Sequence, residues 1–365
     1  MDGLKKNSII VVSDVHLGHE RSNFIQFNDF LDWIQSKKNQ KQENKLLVKF
    51  NGIRKRILVP EMIIFLGDIL ELWEPKKDDV GFVGRRSKKF IEKIIELPCE
   101  KIYVLGNHDK TFEELRAQAY ELTSGNLQIF YRNFPKKAES EYLTIGKSTY
   151  FFIHGHQFDK DMRYFGSLAE VGPSILLSLQ RTNKKVFKLK GFGSLAISLF
   201  LWILDYLFPL WIFENSVPYI ITFLSPFWSA NLLWIAGRFF TRYFFKARYK
   251  DIKSVIKKGW YDTDKDTVIA ENLVFAHTHY PGIEKAQKLI PSAKKKLFIN
   301  CGSWFEKEKY PNTFLYIDEK EILLIEWKKN VPKVLIIYDI ETEEISYSDE
   351  MKQYIQKPKS KFFKV

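Results

Sequence analysis

The stretch Ile9-Ile10-Val11-Val12-Ser13-Asp14-Val15-His16-Leu17-Gly18-His19 joins an unbroken apolar run to a cluster of carboxylate and imidazole groups. Apolar residues without alternation read as a strand buried on both faces, and the polar cluster lies where the chain leaves the sheet. The same pairing recurs along the chain. Apolar runs at 62–66, 102–105, 150–153 and 273–276 precede Gly67-Asp68, Gly106-Asn107-His108-Asp109, His154-Gly155-His156 and His277-Thr278-His279. A further run at 297–299 precedes Asn300-Cys301-Gly302-Ser303-Trp304. Residues 23–36 and 86–97 carry apolar side chains at helical spacing, which predicts helices between the first three strands and hence an α/β sheet. In such sheets ligands bind in the crevice outside the carboxyl ends of the strands, so five polar clusters converge on one place.

All seven histidines fall in these clusters. Together with Asp14, Asp68 and Asn107 they make a metal site of carboxylate, amide oxygen and imidazole. Neither Cys99 nor Cys301 supplies a thiolate, so the set suits manganese, iron or zinc acting on phosphate rather than a structural zinc. So many ligands exceed one tetrahedral shell. Two ions sharing one bridging carboxylate use them all and leave positions open for substrate and water. Gly18, Gly67, Gly106 and Gly155 let the chain turn sharply after each strand.

The remaining chain bounds the setting. With 365 residues and 45% hydrophobic side chains the sequence can bury a large core, which excludes a disordered tail or a disulfide miniprotein. Two cysteines are too few for a disulfide framework and fit a reducing compartment, and the apolar run near the N-terminus is too short for a secretion signal. The net charge of +13 favours an anionic partner. Residues 37–56 read as a loop or surface hairpin, and runs at 313–317, 322–327 and 334–338 as a terminal meander. Trp73 and Trp304 fit a core or the lining of a cleft equally well.

Residues 190–250 break the pattern. Between 191 and 213 the only charge is Asp205, and 215–237 carries none. Much of the 16% aromatic content sits here, and both flanks are basic. Ordinary core burial suits the segment poorly; a lipid-binding cap or contact with a bilayer suits it better, although Asp205 and Pro209, Pro218 and Pro226 interrupt clean spans.

The ordered motifs Asp-x-His-x-Gly, Gly-Asn-His-Asp, His-Gly-His and His-x-His, with Gly67-Asp68 between the first two, resemble the calcineurin-like metallophosphoesterase superfamily over residues 8–170 and 268–305. The resemblance implies a four-layer αββα sandwich. It also implies two divalent ions, manganese first with iron, zinc or magnesium as alternatives. Asp14, His16 and His279 would hold one ion, Asn107, His154 and His277 the other, with Asp68 bridging and His108 facing the substrate. His19 and His156 are not needed to fill the two shells and read as contacts to the ligands or to the substrate. Residues 67–73 and 300–304 are similar to the branch containing the UDP-2,3-diacylglucosamine pyrophosphatases, which inserts its substrate cap where the apolar segment lies here; His156 departs from the Asp common in that branch.

The expected organisation is a core in two parts, 1–180 and 256–345, an apolar helical insertion at 181–255, and a basic tail at 346–365. The expected activity is hydrolysis of a phosphodiester or pyrophosphate bond in a phosphorylated amphipathic substrate, a lipid-linked or nucleotide-activated lipid. The alternative is a nucleic-acid phosphodiesterase of the double-strand-break nuclease type, against which the apolar insertion argues. Because His154 and His277 flank the insertion and must meet, both its ends lie on one side of any membrane. The basic flanks place them at the cytoplasmic face, with 191–237 as a helical hairpin in contact with the bilayer. Oligomeric state has no signature in the sequence.

Overall fold

The structure, a computed structural model, describes residues 4–36, 45–72, 88, 90–109, 127–130, 133–135, 142–156, 196–200, 203, 220, 270–289, 296–306, 308, 310–328 and 330–356. The first strands are β1 (Lys5–Lys6), β2 (Ser8–Val12), β3 (Lys45–Phe50), β4 (Ile53–Leu58), β5 (Met62–Leu66), β6 (Glu100–Val104), β7 (Leu127–Phe130), β8 (Asn133–Phe134), β9 (Leu143–Ile145) and β10 (Ser148–Ile153). They are followed by β11 (Asn272–Phe275), β12 (Gly282–Lys285), β13 (Leu297–Asn300), β14 (Thr313–Asp318), β15 (Glu321–Lys328), β16 (Val331–Asp339) and β17 (Ile345–Tyr347). Helices α1 (Phe24–Gln35), α2 (Ala286–Leu289) and α3 (Asp349–Gln356) complete the elements used below.

These strands form two sheets. The larger runs β4-β3-β16-β15-β14-β2-β5-β6-β7, with β17 on β16; the smaller runs β1-β9-β10-β11-β13-β12, with β8 on β10. Within the larger sheet β2, β5, β6 and β7 are mutually parallel, and within the smaller β10, β11 and β13 are.

The absence of alternation in the apolar runs now has its reason. One set of side chains from β2 and β5, Ile10, Val12, Ile63 and Phe65, packs with Phe27, Phe30, Leu31 and Ile34 of α1. The alternate set, Ile9, Val11, Met62, Ile64 and Leu66, packs with Tyr150, Phe152, Val274 and Ile299 of the smaller sheet. Each strand therefore faces two apolar layers, which is why the larger sheet reads as continuous hydrophobic sequence. The α/β class with two sheets face to face is the one expected, with α1 inside the helix expected at 23–36.

The region expected as loop or surface hairpin is a hairpin over β3 and β4, turning at Asn51 and Gly52, both in the left-handed backbone region. That pair of positive φ values is what a two-residue turn needs to match the strand twist. Leu46, Val48 and Ile57 point into the core with α1. The meander over β14, β15 and β16 is present, joined to the first strand by the antiparallel pairing of β14 with β2.

The described part of the basic tail expected over 346–365 includes the end of β17 and all of α3. Ser348 caps α3, its Oγ accepting from Met351 N at 3.3 Å, and Met351 is buried.

The chain divides into two compact units, Met1–Tyr164 with Lys250–Val365, and Phe165–Tyr249. Both sheets belong to the first. The hairpin expected over 191–237 lies outside the described residues except for 196–200, 203 and 220, all helical. No helix among the described residues is long and apolar enough to cross a membrane. Trp73 and residues 346–365 beyond 356 also lie outside them.

Candidate metal centre

The carboxyl ends of β2, β5 and β6 in one sheet and of β10, β11 and β13 in the other carry the polar clusters. The loops are locked to one another by backbone hydrogen bonds. Asp14 N donates to Gly67 O at 3.0 Å and His16 N to Asp68 O at 2.9 Å; Trp304 N donates to Asp14 O at 3.0 Å and Ala276 N to His154 O at 3.0 Å. Asp14, His16, Asp68, His277 and His279 all have positive φ, between 48° and 67°. Five non-glycine residues in that region make a cluster of backbone strain, held in place by the surrounding structure and concentrated where the ligands sit.

Two groups of ligand atoms result. Asp14, His16 and His279 bring one ligand atom each within 4.8 Å of the others, and so do Asp68, His154 and His277. His279 Nε2 stands 3.0 Å from Asp14 Oδ1, and His154 Nε2 3.1 Å from Asp68 Oδ2. Asp68 Oδ2 is also 3.9 Å from His16 Nε2, so this oxygen lies between the two groups. Its other oxygen accepts from His108 N at 2.9 Å, which fixes the carboxylate in plane.

Buried polar atoms are ordinarily hydrogen-bonded. Here Asp14 Oδ1, His16 Nε2, His154 Nε2 and Asn107 Oδ1 are buried and make no hydrogen bond. Three of these four belong to the two groups, and Asn107 follows Gly106 in the loop after β6. Two ligands about 2.1 Å from one cation and at right angles lie about 3.0 Å apart, close to the separations found here. The donor set therefore fits divalent cations, and the orphaned atoms are those that would face them.

Supporting groups set the direction of each ring. His154 Nδ1 donates to Leu66 O at 2.7 Å, turning Nε2 inward. Glu71, buried, places Oε2 2.9 Å from His16 Nδ1 and Oε1 2.8 Å from His108 Nδ1. The trio His16, Glu71 and His108 is thus a hydrogen-bonded clamp on the Nδ1 atoms. Glu308 stands 3.7 Å from His279 Nδ1, and Phe305 packs its ring 5.1 Å from His16 and 5.6 Å from His279.

The electrostatics follow from burial and mutual proximity. Burial opposes the charged form of Asp14, but the His279 and His154 imidazoles outweigh it and hold the carboxyl below its usual range. Asp68 is held low against burial by His154 and His108, and Glu71 by His108. Conversely, burial opposes protonation of His16, yet the nearby Asp14 carboxylate and the hydrogen-bonded Glu71 raise it to about 10. His154 and His279 rise to about 9 against the same burial, through Asp68 and Asp14 respectively. Asp109 moves the other way, to about 7, because burial and the Asp68 charge both disfavour its ion; it accepts from Leu70 N at 2.8 Å.

Every residue expected at the site is found at the strand ends. His108 lies against His16, ring centroids 4.7 Å apart, and His156 near His154 at 5.5 Å. His19 packs on Phe305 at 4.8 Å. Trp304 is fully buried against Phe27 and Phe30, which settles it as core. Cys301 is buried beside Ser13 Oγ at 3.0 Å, and burial pushes its thiol up, which fits an inert cysteine. Glu71, Phe305 and Glu308 were not singled out for roles; for Glu71 the only signal was its place three residues after Asp68.

The family model for calcineurin-like phosphoesterases matches residues 8–196. No curated protein gives a significant match. A solved structure of a novel archaeal phosphodiesterase aligns over 93% of this chain and 97% of its own, with 12% identity and a TM-score of 0.33. Because the family model spans more than half of the sequence, the chain belongs to the calcineurin-like phosphoesterase family and is a metal-dependent phosphoesterase.

Proposed function

We propose that the protein is a dimetal phosphohydrolase cleaving a phosphodiester or pyrophosphate bond in a lipid-linked or nucleotide-activated lipid at a membrane surface. The reaction rests on one observation above all: two groups of ligand atoms meet at Asp68 Oδ2, 3.1 Å from His154 Nε2 and 3.9 Å from His16 Nε2. In this reading Asp14, His16 and His279 hold one ion, Asn107, His154 and His277 the other, and Asp68 is shared. Bound divalent ions supply Lewis-acid polarisation of the phosphoryl group and a water acidic enough to attack it near neutral pH. Manganese is the ion this donor set suits first.

The chain's own groups do the rest. His108, with Nδ1 on the ionised Glu71, directs Nε2 away from that carboxylate and keeps a proton there for the leaving oxygen. Burial opposes that proton, and Glu71 and Asp68 restore it by raising His108 above its ordinary value. His16 is oriented by the same carboxylate, so ring geometry on the metal side and on the substrate side share one anchor.

The lipid assignment is supported by the nearly uncharged sequence of 191–237 and by Ile197, Leu199 and Phe200, which are 51%, 52% and 60% exposed. Exposed apolar side chains in succession suit contact with acyl chains. The resemblance of 67–73 and 300–304 to the UDP-diacylglucosamine pyrophosphatase branch points the same way. The test is a panel with manganese of UDP-linked lipids, lipid phosphates, cyclic nucleotides and DNA ends. The expected result is preference for a lipid-linked substrate; hydrolysis of DNA ends alone would replace this reading with the nuclease one.

A further inference from the structure

The hairpin of β3 and β4 has an outer face with no place in the phosphoesterase chemistry. Residues 45–58 contain five Lys or Arg and no acid. Inward-facing Leu46, Val48 and Ile57 are buried, so the register puts the cross-strand pairs Lys45 with Leu58, Leu47 with Arg56 and Lys49 with Arg54 on the outer face. All six are exposed, Leu47 by 45% and Leu58 by 39%. At the tip Ile53 is 73% exposed, beside Gly52, whose open side meets no atom within 4 Å.

Two costs are visible in this arrangement. Lys49 directly opposite Arg54 is a like-charge pair, which destabilises an antiparallel ladder. Lys45, Lys49 and Arg54 form no ion pair with a described residue, and the nearest acids on α3 are engaged elsewhere, Asp349 with Lys352 and Glu350 with Lys333. Charges repelling each other around the exposed Leu47 and Leu58 are relieved together by one kind of surface, an anionic interface with an apolar interior.

We propose that the outer face of this hairpin docks the phosphoesterase core on an anionic lipid bilayer. Lys45, Lys49, Arg54 and Arg56 meet the headgroups, and Leu47 and Leu58 enter the boundary between headgroup and acyl chain. A nucleic-acid duplex fits less well, because the outer face carries apolar side chains between its cations, for which a phosphate backbone offers no apolar partner. The proposal does not depend on which substrate is hydrolysed, nor on residues 191–237.

The experiment measures binding of the full-length protein to vesicles of phosphatidylcholine, with and without phosphatidylglycerol. The variants are Lys49→Gln with Arg54→Gln, and separately Leu47→Ser. All substituted side chains are exposed, and melting temperatures check the fold. Each cation near an anionic surface contributes about five-fold in affinity, so the double variant should bind the anionic vesicles about 30-fold more weakly. Added salt should shrink that difference, and Leu47→Ser should weaken binding at every salt concentration. Contacts made to one bilayer multiply, so the ratio remains readable even if another segment also binds. An affinity for anionic vesicles unchanged within two-fold in the double variant would overturn the proposal, as would a loss confined to binding of a DNA duplex.

Discussion

Glu71 and His108 are joined by a 2.8 Å contact between Oε1 and Nδ1, while the other oxygen of the same carboxylate is 2.9 Å from His16 Nδ1. One buried anion thus fixes the tautomer of two rings with different duties. Glu71→Gln keeps the volume and removes the charge. It should lower kcat roughly 10–100-fold and shift the acid limb of the pH profile through His108. Metal content should fall less than in a His16 variant. Unchanged kcat with unchanged profile would remove Glu71 from the mechanism.

Metal binding should be proton-linked. In the metal-free protein the neighbouring carboxylates push His16 up to about 10 and His154 and His279 up to about 9, which favours their protonated forms at neutral pH, and each must lose a proton to ligate. Affinity should therefore rise with pH, by up to about ten-fold per unit per group below these values. Calorimetry in buffers of different ionisation enthalpy measures the protons released. These raised histidines also stabilise the metal-free fold fully below about 6.5, a contribution lost as pH rises through 9 to 10. Asp14 is lowered, so its contribution is lost instead as pH falls below the ordinary carboxylate range. Melts of metal-free protein should thus decline on both sides of neutrality.

Asp68→Ala should do more damage than loss of Asp14 or His279, because Oδ2 stands between both groups and Oδ1 holds the His108 amide. Elemental analysis should find both ions depleted. His108→Ala should retain metal and lose the chemical step, about 10²–10⁴-fold if it acts as the acid. Loss of both ions in the His108 variant would show it to be a metal-binding residue.

Gly106→Ala tests the packing of two loops. A Cβ at Gly106 would collide with the Asp68 carboxylate and its backbone nitrogen. The substitution should destabilise by about 1–3 kcal/mol and cost metal affinity. A variant with parental affinity and melting temperature would mean that the loops yield more easily than their hydrogen bonds imply.

What could be read from sequence divides along a physical line. The strands at 9–12 and 62–66 were legible because they are apolar on both faces, and the histidine clusters because each follows such a strand. The hairpin at 45–58 was half legible, since its lysines and arginines mask the inward Leu46, Val48 and Ile57. Glu71 acts on residues 37 and 55 positions away, a relation no local spacing encodes. Trp304 followed a small-residue turn that allows either cleft or core, and only the rings of Phe27 and Phe30 decide it. Charge gave the segment after 345 a polar reading, while Ser348 and Met351 give it a helix with a buried contact.

Strands β10 and β11 lie side by side in parallel, Tyr150 opposite Asn272, although the whole second unit is inserted between them. A parallel neighbour can be reached only by a connection that returns along the length of the strand, and its length is otherwise unrestricted. The entropy of closing such a connection grows only logarithmically, so doubling it costs about 0.6 kcal/mol. Any polypeptide whose ends arrive one strand spacing apart, about 4.8 Å, can be spliced at this seam with His154 and His277 still delivered to the same place. The strand pair that delivers these two histidines can then stay constant while the sequence spliced between its members changes in length and composition.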